Sequence, residues 1–388
     1  MKGYGDTYME KMNIERHIDS LINETLDEVA LYLHSQHEKN IYRENEYGQP
    51  RSYIAKLLWW NPHKKISKRL YNLFHLKAVM EEAYKFSYDV YRKKEYVKCF
   101  LGKDNKISDL EQVYLLMQDN DSRTIFDYII KSRVAYIVLG EEAIVLYPLK
   151  MIENLKGSTK DGTLGKKIGK NRYKIKGYLI ETTFDLLTGT WIEGQYHYTD
   201  ICIPNNGDVV ISCGAFMGET TIWFADKVGR NGKVYSFEPT EYTYNVAIRN
   251  VINNSLQDVV TMVQCGVWDE DTDLEINVSK GLEEKSCNSI TGGGVGEKIK
   301  AIKIDTYVKR NNINKVDFIK MDIEGAEMKA LIGASNTIKR YKPQLAICVY
   351  HKSDDLIEIP IFISGLVPEY KFYLSQKNAY ETIIFAKI

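Results

Sequence analysis

Hydrophobic positions are spaced in two ways along this chain, and the change falls near residue 200. Upstream, apolar residues recur at helical intervals. Ile18, Leu21, Ile22, Leu26, Val29, Ala30 and Leu33 predict a helix within residues 14–38. Residues 108–133 read as two helices broken at Asp119-Asn-Asp121, with Asp121 or Ser122 as N-cap of the second. Two short β-like runs follow, Val134–Leu139 and Ala143–Tyr147. Residues 156–176 are rich in Gly and Lys and predict a loop or an exposed hairpin.

From Asp208 onward, short apolar runs alternate with helical stretches. The runs Val209–Cys213, Lys233–Phe237, Val259–Cys265, Val316–Met321, Gln344–Val349, Tyr370–Leu374 and Thr382–Ala386 predict strands. Glu219–Val228, Glu241–Ile252, Ala326–Arg340 and Asp354–Ile363 predict helices between them. Strands separated by helical crossovers imply a parallel sheet, because a parallel neighbour needs a long right-handed return. Only Ser375–Glu381 separates the last two strands, which suits an antiparallel hairpin. Leu274–Val278 and Ile299–Ile304 read as extra strands around Ser286–Gly296. No Lys-Ser/Thr follows Gly292-Gly-Gly294, so that loop reads as a substrate-side lid rather than a phosphate cradle. These patterns divide the chain into a helical extension (1–105), a helical and β lead-in (106–190) and a Rossmann-like domain (191–388).

Composition narrows the function classes. With 388 residues and 44% hydrophobic content the chain is long enough for two domains and a buried core. The 52 basic and 52 acidic residues balance, which argues against a nucleic-acid binder that works by charge alone. Residues 51–80 hold no Asp or Glu, but do hold seven Lys and Arg beside Trp59 and Trp60. They read as a packed helix with a solvated basic face, or else as a weak contact with an anionic surface. Six scattered cysteines without a C-x-x-C pair give neither a disulfide framework nor a zinc site. The N-terminus opens no apolar signal segment, and no apolar run reaches the roughly 18 residues of a membrane span. A reducing cytoplasm is the expected compartment.

Candidate chemistry sits at the ends of the predicted strands. Cys213-Gly-Ala-Phe-Met-Gly218 is a turn into a helix. Gly214 lets the backbone turn sharply, and Gly218 lets the helix start close to a ligand. The helix N-terminus offers unpaired N–H groups and a partial positive charge to an anion. The spacing is Gly-x-x-x-Gly, and Phe216 stands where a dinucleotide fold needs its second glycine. A ring there disfavours a pyrophosphate and tolerates a smaller cofactor tail. Glu238, in Phe237-Glu-Pro239, ends the second strand, where a carboxylate accepts hydrogen bonds from both hydroxyls of a ribose. Gly266 and Val267 are candidates to flank an adenine and Asp269 to receive its amine, while Trp268 is either adenine packing or core. Asp322 ends the fourth strand, where open α/β sheets bind ligands. Glu324 shares its loop, and Glu327 reads as a structural acid at a helix start. His351 ends the fifth strand and is either a general base for a hydroxyl or a capping or substrate-binding histidine.

These residues resemble the FkbM-type methyltransferases. The turn Cys213–Thr221, the Phe237-Glu-Pro239 step, the block Lys320-Met-Asp-Ile-Glu-Gly-Ala-Glu327 and the segment Tyr350-His-Lys-Ser-Asp-Asp355 occur in the family's order. Asp121-Ser-Arg123 and Gly194-Gln-Tyr-His197 look like its lead-in, so the resemblance covers roughly residues 108–388. It implies a class I methyltransferase fold: a mostly parallel seven-stranded sheet with an antiparallel end, preceded here by a mainly helical N-terminal region. It also implies S-adenosylmethionine as methyl donor and O-methylation of a sugar, glycan or natural-product hydroxyl. Gly214, Ala215, Gly218, Glu238 and Val267 would surround the cofactor, with Asp322 close to the transferred methyl. Ser212, Phe216, Thr221, Pro239 and Gly266 complete the candidate cofactor set, and Asp322, Glu324 and His351 form the catalytic set. No metal is expected, since the spacing of those three is not a ligand signature. One position departs from the family: Ser212 stands where an acid normally holds the cofactor's ammonium. That departure motivates an alternative, a non-catalytic cofactor-binding module with a weakened site. A nicotinamide-dependent dehydrogenase is the remaining alternative, disfavoured by Phe216 and the antiparallel sheet end. The expected partner is a small-molecule or glycan hydroxyl acceptor, with no nucleic acid; the oligomeric state is left open.

Overall fold

A computed structural model describes residues 17–33, 35, 90–101, 106–140, 166–278, 295–376 and 381–388. The described residues fall into two compact units: residues up to 115 with 123–140, and residues 116–122 with 166–388. The basic stretch 51–80, the run Ala143–Tyr147 and most of the loop 286–296 lie outside the described residues.

The first unit is helical. Helix α1 (17–33) buries Ile18, Leu21, Ile22 and Val29 along one stripe, as the spacing predicts. Thr25 shares that stripe and satisfies its hydroxyl on the Leu21 carbonyl at 2.7 Å. Helices α2 (Val90–Leu101), α3 (Ile107–Leu116) and α4 (Asn120–Leu139) follow. The predicted break between α3 and α4 is present, but Val134–Leu139 continues α4 and is not a strand. Ala135 packs on Val29 of α1, and Lys131 reaches Glu28 at 3.4 Å. Packing against α1 overrides the strand preference of a short β-branched run. The cap also differs from expectation. Asp119 Oδ1 accepts the N–H of Ser122 at 2.8 Å, so Asp119 caps α4 and neither Asp121 nor Ser122 does.

The second unit begins with an antiparallel meander, β1 (Lys166–Gly169), β2 (Arg172–Ile175) and β3 (Tyr178–Glu181), which contains the predicted hairpin. Helix α5 (Phe184–Trp191) leads to the main alternation: β4 (Val209–Cys213), α6 (Glu219–Val228), β5 (Lys233–Phe237), α7 (Glu241–Asn253) and β6 (Val260–Val263). A small sheet of β7 (Gly266–Val267), β8 (Thr272–Val278) and β9 (Val295–Ile302) interrupts it. The chain resumes with α8 (Ile304–Arg310), β10 (Phe318–Met321), α9 (Glu327–Gly333), α10 (Ser335–Tyr341), β11 (Gln344–Cys348), α11 (Asp355–Leu366), β12 (Lys371–Gln376) and β13 (Thr382–Lys387).

The main sheet has seven strands in the order β12-β13-β11-β10-β4-β5-β6. β6, β5, β4, β10 and β11 are parallel, and β13 inserts antiparallel between β11 and β12. This is the class I methyltransferase arrangement expected from the sequence. β10 is buried at all four positions, which is why it reads as an apolar run apart from Lys320. Ala326–Arg340, predicted as one helix, is two, separated at Ala334.

Side chains protect both exposed strand edges that matter here. Gln118 donates its N–H to Phe372 of β12 at 3.0 Å, and Leu374 donates to Ser122 Oγ at 2.9 Å, so residues 117–122 cover the edge of the main sheet. On α7, Asn250 and Asn254 act as imitation peptide groups. The N–H groups of Glu181 and Leu179 donate to their carbonyls at 2.8 Å each, and their amide nitrogens return bonds to the same two residues at 2.9 and 2.8 Å. The match is geometric, since four helical residues advance about 6 Å and two strand residues about 6.6 Å. Among the described residues no helix is long and apolar enough to cross a membrane.

Candidate functional site

The loops that leave the carboxyl ends of β4, β5, β10 and β11 converge. The N–H groups of Gly214 and Ala215 both donate to the Phe237 carbonyl, at 3.0 and 2.9 Å, and Asp322 donates its N–H to Cys213 at 3.2 Å. Gly214 has φ +80, and a Cβ there would lie 3.0 Å from the Asp322 carbonyl carbon and closer still to its oxygen. Gly218 has φ +88, and a Cβ there would lie 2.9 Å from that of Ala247 on α7. The second glycine therefore serves helix packing rather than the close approach of a ligand. Between them Phe216 holds φ +48, outside the range most side chains prefer.

Glu238, just past β5, is tied to this turn. Its Oε2 accepts the Phe216 N–H at 2.8 Å, and its Oε1 accepts Thr240 N–H at 3.1 Å and Thr243 Oγ1 at 2.7 Å. A carboxylate offers about four lone-pair positions, and because the Thr240 side chain also bonds Glu238, protein donors occupy them all. Engaging the hydroxyls of a ribose would require some of those donors to yield. Burial pushes the Glu238 carboxyl above its ordinary range, and the hydrogen bonds from Thr243, Thr240 and Phe216 oppose that shift.

The other candidate cofactor residues differ in placement. Ala215 is fully buried, and Pro239 follows Glu238 half-buried. Thr221 lies beneath α6, with its hydroxyl 2.6 Å from Ser236 Oγ on β5, which removes it from the loop surface. Ser212 is also fully buried, inside β4 in register with Lys320 and Ser236, and its Oγ has no hydrogen-bond partner. Ser212 on β4 and Thr221 on the inner face of α6 are thus both enclosed between sheet and helix. Gly266 and Val267 pair with β9, and Val267 is buried. Asp269 is paired with Lys329 at 2.6 Å, and that ammonium lies 5.5 Å from the Trp268 ring.

The catalytic candidates do come together. Asp322 follows β10 and His351 follows its neighbour β11, which brings the two side chains side by side. His351 Nε2 is 3.4 Å from Asp322 Oδ1 and 3.7 Å from Glu324 Oε2, and its Nδ1 is 2.9 Å from Glu327 Oε1. Glu327 is fully buried and also accepts the Ile323 N–H at 2.8 Å, so its structural role is to hold this loop and the imidazole. Burial disfavours the imidazolium, but the carboxylates of Glu327, Asp322 and Glu324 prevail and push His351 up to about 9. Glu324, at φ +56, is pushed up to about 7 by burial.

Three residues of the cluster were quoted within sequence motifs without a role. Tyr196 donates its hydroxyl to Asp322 Oδ2 at 2.5 Å, and Tyr350 donates to Oδ1 at 3.3 Å. Lys320 is 1% exposed, and its ammonium donates to the carbonyls of Gly214 at 2.7 Å and Cys213 at 3.2 Å. It also lies over the Tyr196 ring at 4.7 Å and 4.0 Å from Asp322. Burial would raise the Asp322 carboxyl, but Lys320, His351 and the Tyr196 hydroxyl outweigh it and hold the group below its ordinary range. A lysine inside the apolar run Phe-Ile-Lys-Met was the available signal for Lys320. No local pattern marks Tyr196, which is 126 residues from its partner.

Comparison with known proteins finds similarity to methyltransferases. A curated methyltransferase, sdnD of Sordaria araneosa, is 26% identical over 181 residues, covering 37% of this chain and 69% of that protein. The solved structure of methyltransferase FkbM from Methylobacillus flagellatus KT is 18% identical with a TM-score of 0.47; the match covers 72% of this chain and 58% of that one. Residues 212–373, from Ser212 to Tyr373 of β12, match the family model described as the methyltransferase FkbM domain. Over residues 212–373 the chain is therefore similar to the methyltransferase FkbM domain.

Proposed function

We propose that this protein transfers a methyl group from S-adenosylmethionine to a hydroxyl of a sugar, glycan or natural product. The observation that carries the reading is the 2.8 Å hydrogen bond from the Phe216 N–H to Glu238. It joins the glycine turn after β4 to the acid after β5, the two parts that a nucleoside-bearing cofactor would need together. The residues fit that cofactor. Glu238 would accept a ribose hydroxyl in place of one of its threonine donors, and the start of α6 would supply N–H groups suited to a carboxylate. The cofactor supplies an electrophilic methyl on a sulfonium; the acceptor oxygen gains that methyl and gives up its proton, and the sulfur is left as a neutral thioether.

This chain's own residues would handle the acceptor. Asp322 and Glu324 would place proton-accepting oxygens beside the His351 imidazole at the carboxyl ends of β10 and β11, next to Gly214. Tyr196 and Tyr350 fix the Asp322 carboxylate through their hydroxyls. An acceptor hydroxyl would lose its proton to this cluster as the new C–O bond forms. Incubating the protein with methyl-labelled cofactor and a panel of glycans and hydroxylated natural products tests the reading. Label in an acid-stable ether supports it, and label only on nitrogen or sulfur contradicts it.

The unpartnered, buried Ser212 Oγ favours a second reading, a binding module whose cofactor site lacks its acid. Multiple turnovers of the labelled cofactor would exclude it. Tighter cofactor binding by Ser212→Asp would support the weakened site that it requires.

A further inference from the structure

We propose that Asp322, Glu324 and His351 bind a divalent first-row transition-metal cation. One ligand atom from each lies within 4.8 Å of the other two. The separations of His351 Nε2 from the Asp322 and Glu324 oxygens, 3.4 and 3.7 Å, are long for hydrogen bonds but suit ligands sharing an ion. Two donors about 2.1 Å from one ion at ordinary coordination angles stand roughly 3.0–3.7 Å apart.

The imidazole supplies an independent observation. The His351 side chain is only 8% exposed, yet Nε2 has no hydrogen-bond partner and faces two carboxylates. Leaving a buried polar atom unpaired costs about 1–3 kcal/mol. The other ring nitrogen is held by Glu327, which is itself fully buried. A carboxylate on Nδ1 fixes the ring orientation, as in metal sites, and a cation would take the place of the Nε2 proton. Tyr196 and Tyr350 orient Asp322 in the same way. Two of the three donors of the buried Lys320 ammonium go to the Gly214 and Cys213 carbonyls, and the ammonium stands 4.0 Å from Asp322.

The donor set selects the ion class. Two carboxylates and one imidazole suit Mn²⁺, Fe²⁺, Co²⁺ or Zn²⁺, whereas Mg²⁺ and Ca²⁺ favour oxygen alone. Three protein ligands leave positions for water or an acceptor hydroxyl, whose proton a bound cation makes easier to remove. That catalytic use rests on the O-methylation reading above; the cation site does not.

The test titrates MnCl₂ into chelator-treated full-length protein, followed by calorimetry and by the loss of the free Mn²⁺ electron paramagnetic resonance signal. Saturable binding of one Mn²⁺ per chain is expected. Glu324→Ala, at a partly exposed position, and His351→Ala should each weaken it at least tenfold, with thermal melts confirming that the variants fold. Glu327→Gln should weaken it about 10–100-fold through the imidazole and the Ile323 loop that Glu327 holds. No saturable binding of Mn²⁺ or Zn²⁺ at millimolar concentration, or binding unchanged in both alanine variants, would overturn the proposal. Methyl transfer unimpaired in metal-free protein that binds no Mn²⁺ would remove the site and leave the proposed reaction standing. Mn²⁺ binding without any cofactor binding would do the reverse.

Discussion

The carbonyl of Asp322 occupies the space that a side chain on Gly214 would need. A Cβ at Gly214 would fall 3.0 Å from the carbonyl carbon and closer to the oxygen, while φ stands at +80. The glycine turn and the acidic loop are thus packed backbone to backbone across β4 and β10. Gly214→Ala combines a positive-φ penalty with a main-chain clash, and should cost about 3 kcal/mol of stability. Urea denaturation measures it; a loss below about 1 kcal/mol would contradict the close approach.

Asn250 carries more than the edge of β3. Its amide also donates to the Met217 carbonyl at 2.7 Å, so one side chain links the meander, α7 and the glycine turn. Asn250 is fully buried, and its removal would leave the Glu181 N–H and the Met217 carbonyl short of partners. Asn250→Ala should destabilise by about 2–4 kcal/mol, and the more exposed Asn254→Ala by about 1 kcal/mol. Equal losses in denaturant titrations would count against this ranking.

Glu219 gives a pH signature. It is 3% exposed, and burial pushes its carboxyl from 4.5 up to about 7, opposed by Lys320 and the Thr182 and Thr220 hydroxyls. The folded state therefore holds the proton more tightly than the unfolded state. This group's contribution is most favourable below about pH 4.5, declines as pH rises, and reaches its full penalty above about pH 7. Glu219→Gln should be more stable than the parent by roughly 2–3 kcal/mol near pH 8, with the gain shrinking toward pH 4.5. Paired urea curves across that range check it, and a pH-independent difference contradicts it.

Much of the second half was legible because buried parallel strands write themselves as apolar runs. Val209–Cys213, Lys233–Phe237 and Glu219–Val228 are observed with their predicted bounds. The β-branched run Val134–Leu139 failed because its neighbours on α1 are more than a hundred positions away. Ala326–Arg340 keeps helical periodicity through the break at Ala334, so hydrophobic spacing alone does not reveal it.

The site followed the same division. Asp322, Glu324 and His351 could be named as candidates because strand ends are where open α/β sheets place chemistry. Lys320, Tyr196 and Tyr350 act through contacts between loops, which no local spacing encodes. The burial of Ser212 and Thr221 was not legible for a related reason. Sequence position located them near the turn, but side-chain direction in β4 and α6 turns both into the sheet interior.

The central claim is a cofactor site built on the Phe216 and Glu238 pair. Isothermal titration of S-adenosylmethionine into the full-length protein and into Glu238→Ala tests it most directly, with thermal melts as the folding control. The account predicts saturable binding to the parent and a loss of about 1–3 kcal/mol in the variant. No heat of binding to the parent at millimolar cofactor, or identical affinity in a folded Glu238→Ala protein, would contradict it.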